Sequence, residues 1–70
     1  MDYDEALNET WGSSTASGQY ITVSVQHERN NEKMTLAVWE YKEYRFAIMG
    51  EDDSKVVIPK AALAVIENLN

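Results

Sequence analysis

One histidine, His27, is the chain's only side chain whose ordinary titration falls near neutral pH. A nucleophile for it to activate is hard to find. Cysteine is absent, and Ser13, Ser14 and Ser17 sit in the stretch 12–18, whose small polar residues and flanking glycines have linker composition. A hydroxyl on a linker is not held against a base, as nucleophilic catalysis requires. His27 falls in the alternating register of Ile21, Val23 and Val25, near a hairpin tip and opposite Met34. There it either contacts a ligand as a pH-sensitive group or covers the rim of the core, the simpler role. Glu51-Asp52-Asp53 lacks the Asp-x-Asp-x-Asp-Gly spacing of a calcium loop, and consecutive carboxylates diverge, so these read as solvated turn residues. Gly12, Gly18 and Gly50 are too dispersed for a phosphate loop. The expectation is a protein that is not an enzyme and uses no metal and no cofactor.

The rest of the composition agrees. Seventy residues with 44% apolar and 26% charged side chains make one small globular domain. Without cysteine there is no disulfide and no thiolate zinc site. The longest apolar run, Ala61–Ile66, is far short of the roughly 20 residues of a membrane span. The acidic start, Met1-Asp2-Tyr3-Asp4-Glu5, is not a secretion signal. A soluble, cytoplasmic protein with no membrane contact is expected. The formal net charge is −6, from twelve acids and six bases. Residues 1–18 carry Asp2, Asp4, Glu5 and Glu9 and no base, which leaves eight acids and six bases in 19–70. The chain therefore divides into an acidic arm and Gly/Ser linker (1–18) and a single α+β domain (19–70).

The elements that must position any site follow from periodicity. Ile21, Val23 and Val25 alternate with Tyr20, Thr22, Ser24 and Gln26, and Met34, Leu36 and Val38 alternate with Thr35, Ala37, Trp39 and Tyr41. A two-residue turn at Asn30-Asn31 pairs Arg29 with Glu32, Glu28 with Lys33, Val25 with Leu36 and Val23 with Val38. Tyr44–Met49 reads as a third strand, its register on Tyr41 open between a two-residue turn at Lys42-Glu43 and a longer loop. Helical spacing of Ala37, Tyr41, Tyr44 and Ile48 keeps a single helix over 36–49 as the rival. Lys55–Ile58 reads as a short fourth strand. Pro59 then opens a helix to Leu69, with Ala62, Val65, Ile66 and Leu69 on one stripe. The expected fold is a four-stranded antiparallel sheet followed by a C-terminal helix (β-β-β-β-α), preceded by a flexible acidic N-terminal arm. So small a unit favours self-association, through the helix stripe or a sheet edge.

Two kinds of binding surface follow. With Trp39 and Tyr41 on the outer face beside Tyr20, and Tyr44 near them, bases can stack there while Lys33, Lys42 and Arg45 reach phosphates, or Trp39 and its neighbours are simply buried by a dimer partner or by the N-terminal arm. In the arm, Tyr3, Leu7 and Trp11 recur every four residues, as on a short helix that folds into a partner's groove or docks on the chain's own sheet; the simpler reading is a disordered tail that aids solubility.

The order of a strand (Tyr44–Met49), a polar turn (Glu51–Ser54), a short strand (Lys55–Ile58) and a helix (Pro59–Leu69) resembles the whirly and positive-cofactor-four type of single-stranded-DNA-binding coactivators. An acidic, serine-containing region before the folded part is also similar. The resemblance implies a homodimer with helices paired at its seam through Ala62, Val65, Ile66 and Leu69, and curved sheets facing single-stranded nucleic acid. Net negative charge points elsewhere, toward a basic protein partner. The leading expectation is a small non-catalytic regulator acting through protein contacts, for instance an acidic inhibitor of a basic surface. The alternative is a homodimeric single-stranded nucleic-acid-binding protein.

Overall fold

Strict alternation over residues 20–27 and 34–41 produces strands with one buried and one open face. The computed structural model describes residues 8–27, 34–52 and 54–69. The elements are β1 (Glu9–Ser14), β2 (Tyr20–His27), β3 (Met34–Tyr41), β4 (Tyr44–Glu51) and α1 (Val57–Glu67). They form one antiparallel sheet in the order β1-β2-β3-β4, with α1 packed across one face. The expected class, a four-stranded antiparallel sheet followed by a C-terminal helix, is what the chain adopts. The membership of the sheet differs at both ends.

Its first strand lies in the stretch read as arm and linker. Trp11 pairs with Val23 and Ser13 with Ile21, which places both on the buried face. Trp11 is therefore a strand residue packed against the core, not the end of an amphipathic helix; Tyr3 and Leu7 lie outside the described residues. The small residues after it build a turn. Thr15 is 4% exposed. Its N–H donates to the Gln19 carbonyl (2.8 Å), and its carbonyl accepts from Gly18 N–H (2.9 Å). Gly18 has φ +96°, a conformation that favours glycine. The Ala16 N–H donates to the Leu69 carbonyl (2.8 Å), and the Ser13 hydroxyl to Glu67 (2.9 Å), fastening this turn to the end of α1.

The β2–β3 register also differs. Val25 pairs with Ala37 rather than Leu36, and Ser24 with Val38. That single step turns every side chain of β3 over. Thr35, Ala37, Trp39 and Tyr41 are buried, and Met34, Leu36 and Val38 lie on the open face. The expected Asn30-Asn31 turn and its charge pairs fall outside the described residues. Aromatic volume explains the choice. Trp39 stacks on Phe46 at 5.4 Å between centroids, 10° from parallel, and closes the core beside Tyr41. Packing holds Trp39 there, because its buried Nε1 has no acceptor among the described residues.

The β3–β4 turn is the two-residue one. Tyr41 pairs with Tyr44 and Trp39 with Phe46, with Lys42 at φ 57°, and the helical alternative for 36–49 is excluded. Lys55–Ile58 is not a strand. Lys55 has φ 64° in a turn, and α1 starts at Val57. Pro59 still sits in the first helical turn, where its missing N–H is harmless. Ala62 and Ile66 have no exposed surface and complete the chain's own core with Ile21, Val23, Val25, Ala37, Trp39 and Tyr41. Neither is available as a dimer seam. Leu69 packs against the same core, and Val65 alone of that stripe is exposed. Among the described residues no helix is long and apolar enough to cross a membrane.

Candidate protein-binding face

Since α1 covers one face of the sheet, the other carries whatever alternation turns away from it. On β2 these residues are Tyr20, Thr22, Ser24 and Gln26; on β3, Met34, Leu36, Val38 and Glu40; on β4, Arg45, Ala47, Met49 and Glu51. Leu36 lies opposite Met49, Val38 opposite Ala47, and Glu40 opposite Arg45. The open face is thus polar over β1 and β2 and apolar over β3 and β4. Met49 is 65% exposed. Glu40 and Arg45 mark one end of the apolar strip, and Glu51 the other. Beside it, Tyr20, Thr22, Ser24, Val38, Glu40 and Arg45 line a shallow open depression of about 380 Å³.

Of the residues expected to bind, the sheet brings Tyr20 and Arg45 to this face. Trp39 and Tyr41 are buried beneath α1's side of the sheet, at 3% and 7% exposure, because of the shifted register. Tyr44 is exposed on that same inner side, tilted against Phe46. Lys42 sits in the turn, its ammonium 5.3 Å from the centre of the Tyr41 ring. Lys33 is outside the described residues. The stacking platform drawn from sequence is therefore not assembled. The residues that do form the strip, Leu36, Val38, Ala47 and Met49, were assigned to the core or left open between registers. The signal that finds them is aromatic size: placing Trp39 and Phe46 inward forces these four outward.

Tyr20 lies across Gly12, and a methyl group at Gly12 would collide with its ring. The obstacle is the free end of an exposed side chain, so the ring moves rather than the sheet. Gly12→Ala should cost under about 1 kcal/mol and shift the Tyr20 ring resonances. In a Tyr20→Ala background the same change should be neutral or stabilising by about 0.5 kcal/mol. Equal costs in both backgrounds, by thermal denaturation, would remove the contact.

His27 is 2% exposed and bridges three strands. Its Nε2 lies 3.0 Å from Glu9 Oε1, and its Nδ1 3.0 Å from Thr35 Oγ1. A carboxylate cannot donate, so Nε2 carries the hydrogen toward Glu9, and in neutral imidazole Nδ1 accepts from the Thr35 hydroxyl. Carboxylate, imidazole and hydroxyl stand in the order of a hydrolytic triad. Thr35 is 1% exposed, however, so no substrate reaches the hydroxyl along this arrangement. The cluster serves as a polar strut through β1, β2 and β3. The partner of His27 is Thr35, where the unshifted register placed Met34.

Asp52 is likewise structural rather than solvated. It is 3% exposed, and its Oδ2 accepts from Ile58 N–H at 2.7 Å. Its Oδ1 accepts from Lys55 N–H and the Ser54 hydroxyl, both at 3.0 Å. Burial alone pushes this carboxyl up. The donors from Ile58, Ser54, Lys55 and Val57 outweigh burial and hold it below its ordinary value. Asp52 thus satisfies N–H groups that the start of α1 leaves free. Asp53 lies outside the described residues, and among those described no group of three or more His, Asp or Glu is placed to hold a metal.

Comparison of the chain with protein-family models, with curated proteins and with solved structures gives no match.

Proposed function

We propose that this chain is a small non-catalytic binding module that acts through protein contacts on the open face of its sheet. The observation that supports this reading is the strip of Leu36, Val38, Ala47 and Met49, paired side by side on the face opposite α1, with no helix or strand among the described residues above them. Apolar side chains gathered on one open face mark an interaction surface more often than isolated ones do. Glu40 and Glu51 at its ends, and a net charge of −6, favour a partner whose apolar patch has a basic rim. The module acts as a regulator that occupies such a basic surface, and it does so as a homodimer. Single-stranded nucleic acid is the weaker reading. Of the expected stacking aromatics only Tyr20 stands on this face, and Arg45 is its one base among the described residues of the expected set.

The test places a photo-crosslinking side chain at Val38 and, separately, at Lys60 on α1. In extract of the protein's own cells, Val38 should give discrete protein adducts that Lys60 does not. Leu36→Glu should abolish them without unfolding the chain. Adducts that survive Leu36→Glu would discard the face. Saturable, salt-sensitive tryptophan quenching by a single-stranded oligonucleotide would move the assignment to nucleic acid.

A further inference from the structure

The edge strand β4 has an unusual self-complementarity. In a two-residue hairpin the closing pair, Tyr41 and Tyr44, exchanges backbone hydrogen bonds, and such pairs alternate along the ladder. Phe46, Ile48 and Gly50 therefore aim their peptide groups at β3. Arg45, Ala47, Met49 and Glu51 aim theirs at the open edge, since β4 is the last strand of the sheet. This edge is eight residues long, unbroken by a bulge, and carries no proline or lysine. Such edges are templates for another strand unless they are blocked.

We propose that β4 pairs with β4 of a second copy, antiparallel, about a two-fold axis through Ile48. In that register Arg45 faces Glu51 of the second copy, and Ala47 faces Met49. All four outward-aimed residues of each strand then find partners. A shift by two residues in either direction leaves some of them unpaired and separates Arg45 from Glu51. Symmetry repeats each contact, giving two opposite-charge pairs on the open face. The axis is perpendicular to the sheet, so both helices stay on one side, and the two apolar strips merge into one across eight strands. The occupant of the edge is a second copy because the strand complements itself in charge, in hydrogen-bonding groups and in face at the same register. The inference rests on the homodimeric reading above and assigns its seam to β4 rather than to α1.

Two measurements on the full chain test it. Sedimentation equilibrium should show a dimer. Arg45→Glu and Glu51→Arg should each weaken it about tenfold, since each change turns both attractive pairs repulsive. The double reversal should restore it. The chain has no cysteine of its own, so Ile48→Cys supplies a single reporter. Directly opposed residues of a non-hydrogen-bonded pair lie about 4.5 Å apart at Cα, within disulfide reach. Mild oxidation should link Ile48→Cys into a covalent dimer and leave Ala47→Cys largely monomeric. Ala47→Pro, which removes only an outward N–H, should give a folded monomer by circular dichroism. A monomer at every concentration would overturn both the seam and the homodimer. A dimer that ignores the charge reversals and fails to link through Ile48 would overturn the seam alone.

Discussion

Ile66→Asp should unfold the protein, while Val65→Asp should leave it folded. The two residues are neighbours on α1, and hydropathy does not separate them. Position does. Ile66 has no exposed surface and belongs with Ala62, Val23, Val25 and Ala37 to the buried core, whereas Val65 is 39% exposed. Truncating a buried isoleucine to alanine costs about 2–5 kcal/mol. In a 70-residue chain, whose stability lies toward the low end of about 5–15 kcal/mol, that is a large share of the total. Ile66→Ala should therefore lower Tm by at least roughly 10 °C. A carboxylate at that position has no partner and adds a desolvation cost that the fold cannot carry. At Val65 the carboxylate stays in water, and the change should be within about 0.5 kcal/mol. Circular dichroism melts of the two variants decide the matter. A cooperative melt for Ile66→Asp near the parent Tm would mean that α1 does not seat on the sheet as described.

The second large effect is at Asp52. Asp52→Ala strands the Ile58 N–H at the start of α1 and removes one acceptor of the Lys55 N–H, which keeps the Asp52 carbonyl at 3.1 Å, and should cost about 1–3 kcal/mol. The clamp also sets a pH dependence. Because the folded carboxyl is held below its ordinary value of 3.8, its contribution is complete above that pH. It falls away as the pH drops through the lower, folded-state value, since the unfolded chain takes up the proton first. Asp52→Asn keeps an acceptor but no charge. It should fall between parent and Asp52→Ala at pH 7, and its stability should drop less between pH 5 and pH 2.5. Urea denaturation at those pH values checks both. An Asp52→Asn variant with the parent's full acid sensitivity would assign that sensitivity to other carboxylates.

Period-two alternation placed β2, β-former content placed β4 with its register left open, and apolar spacing placed α1 to within two residues. The face of β3 was not legible in the same way. Met34-Thr35-Leu36-Ala37-Val38-Trp39 is amphipathic in either phase, because the apolar set is aliphatic in one and aromatic in the other. The pairing of Trp39 with Phe46 settles the phase through packing. β1 was hidden for a different reason. Glu9-Thr10-Trp11-Gly12-Ser13-Ser14 has weak strand propensity and becomes a strand only because β2 offers it an edge and α1 a surface. Asp52 looked like one of three equivalent acids. Only the path of the backbone distinguishes the one aimed at the helix.

The order β1-β2-β3-β4 has a consequence for how the chain reaches this state. Each strand hydrogen-bonds to its sequence neighbour, so the sheet assembles by successive short loop closures, the cheap and rapid kind. The bonds from Ser13 to Glu67 and from Ala16 to Leu69 span most of the chain. They form only after the hairpins exist and α1 has crossed the sheet. Folding should therefore end at the seam between β1 and α1, and spontaneous opening should begin there, where hydrogen exchange of the Ala16 amide would run ahead of exchange from β2 and β3.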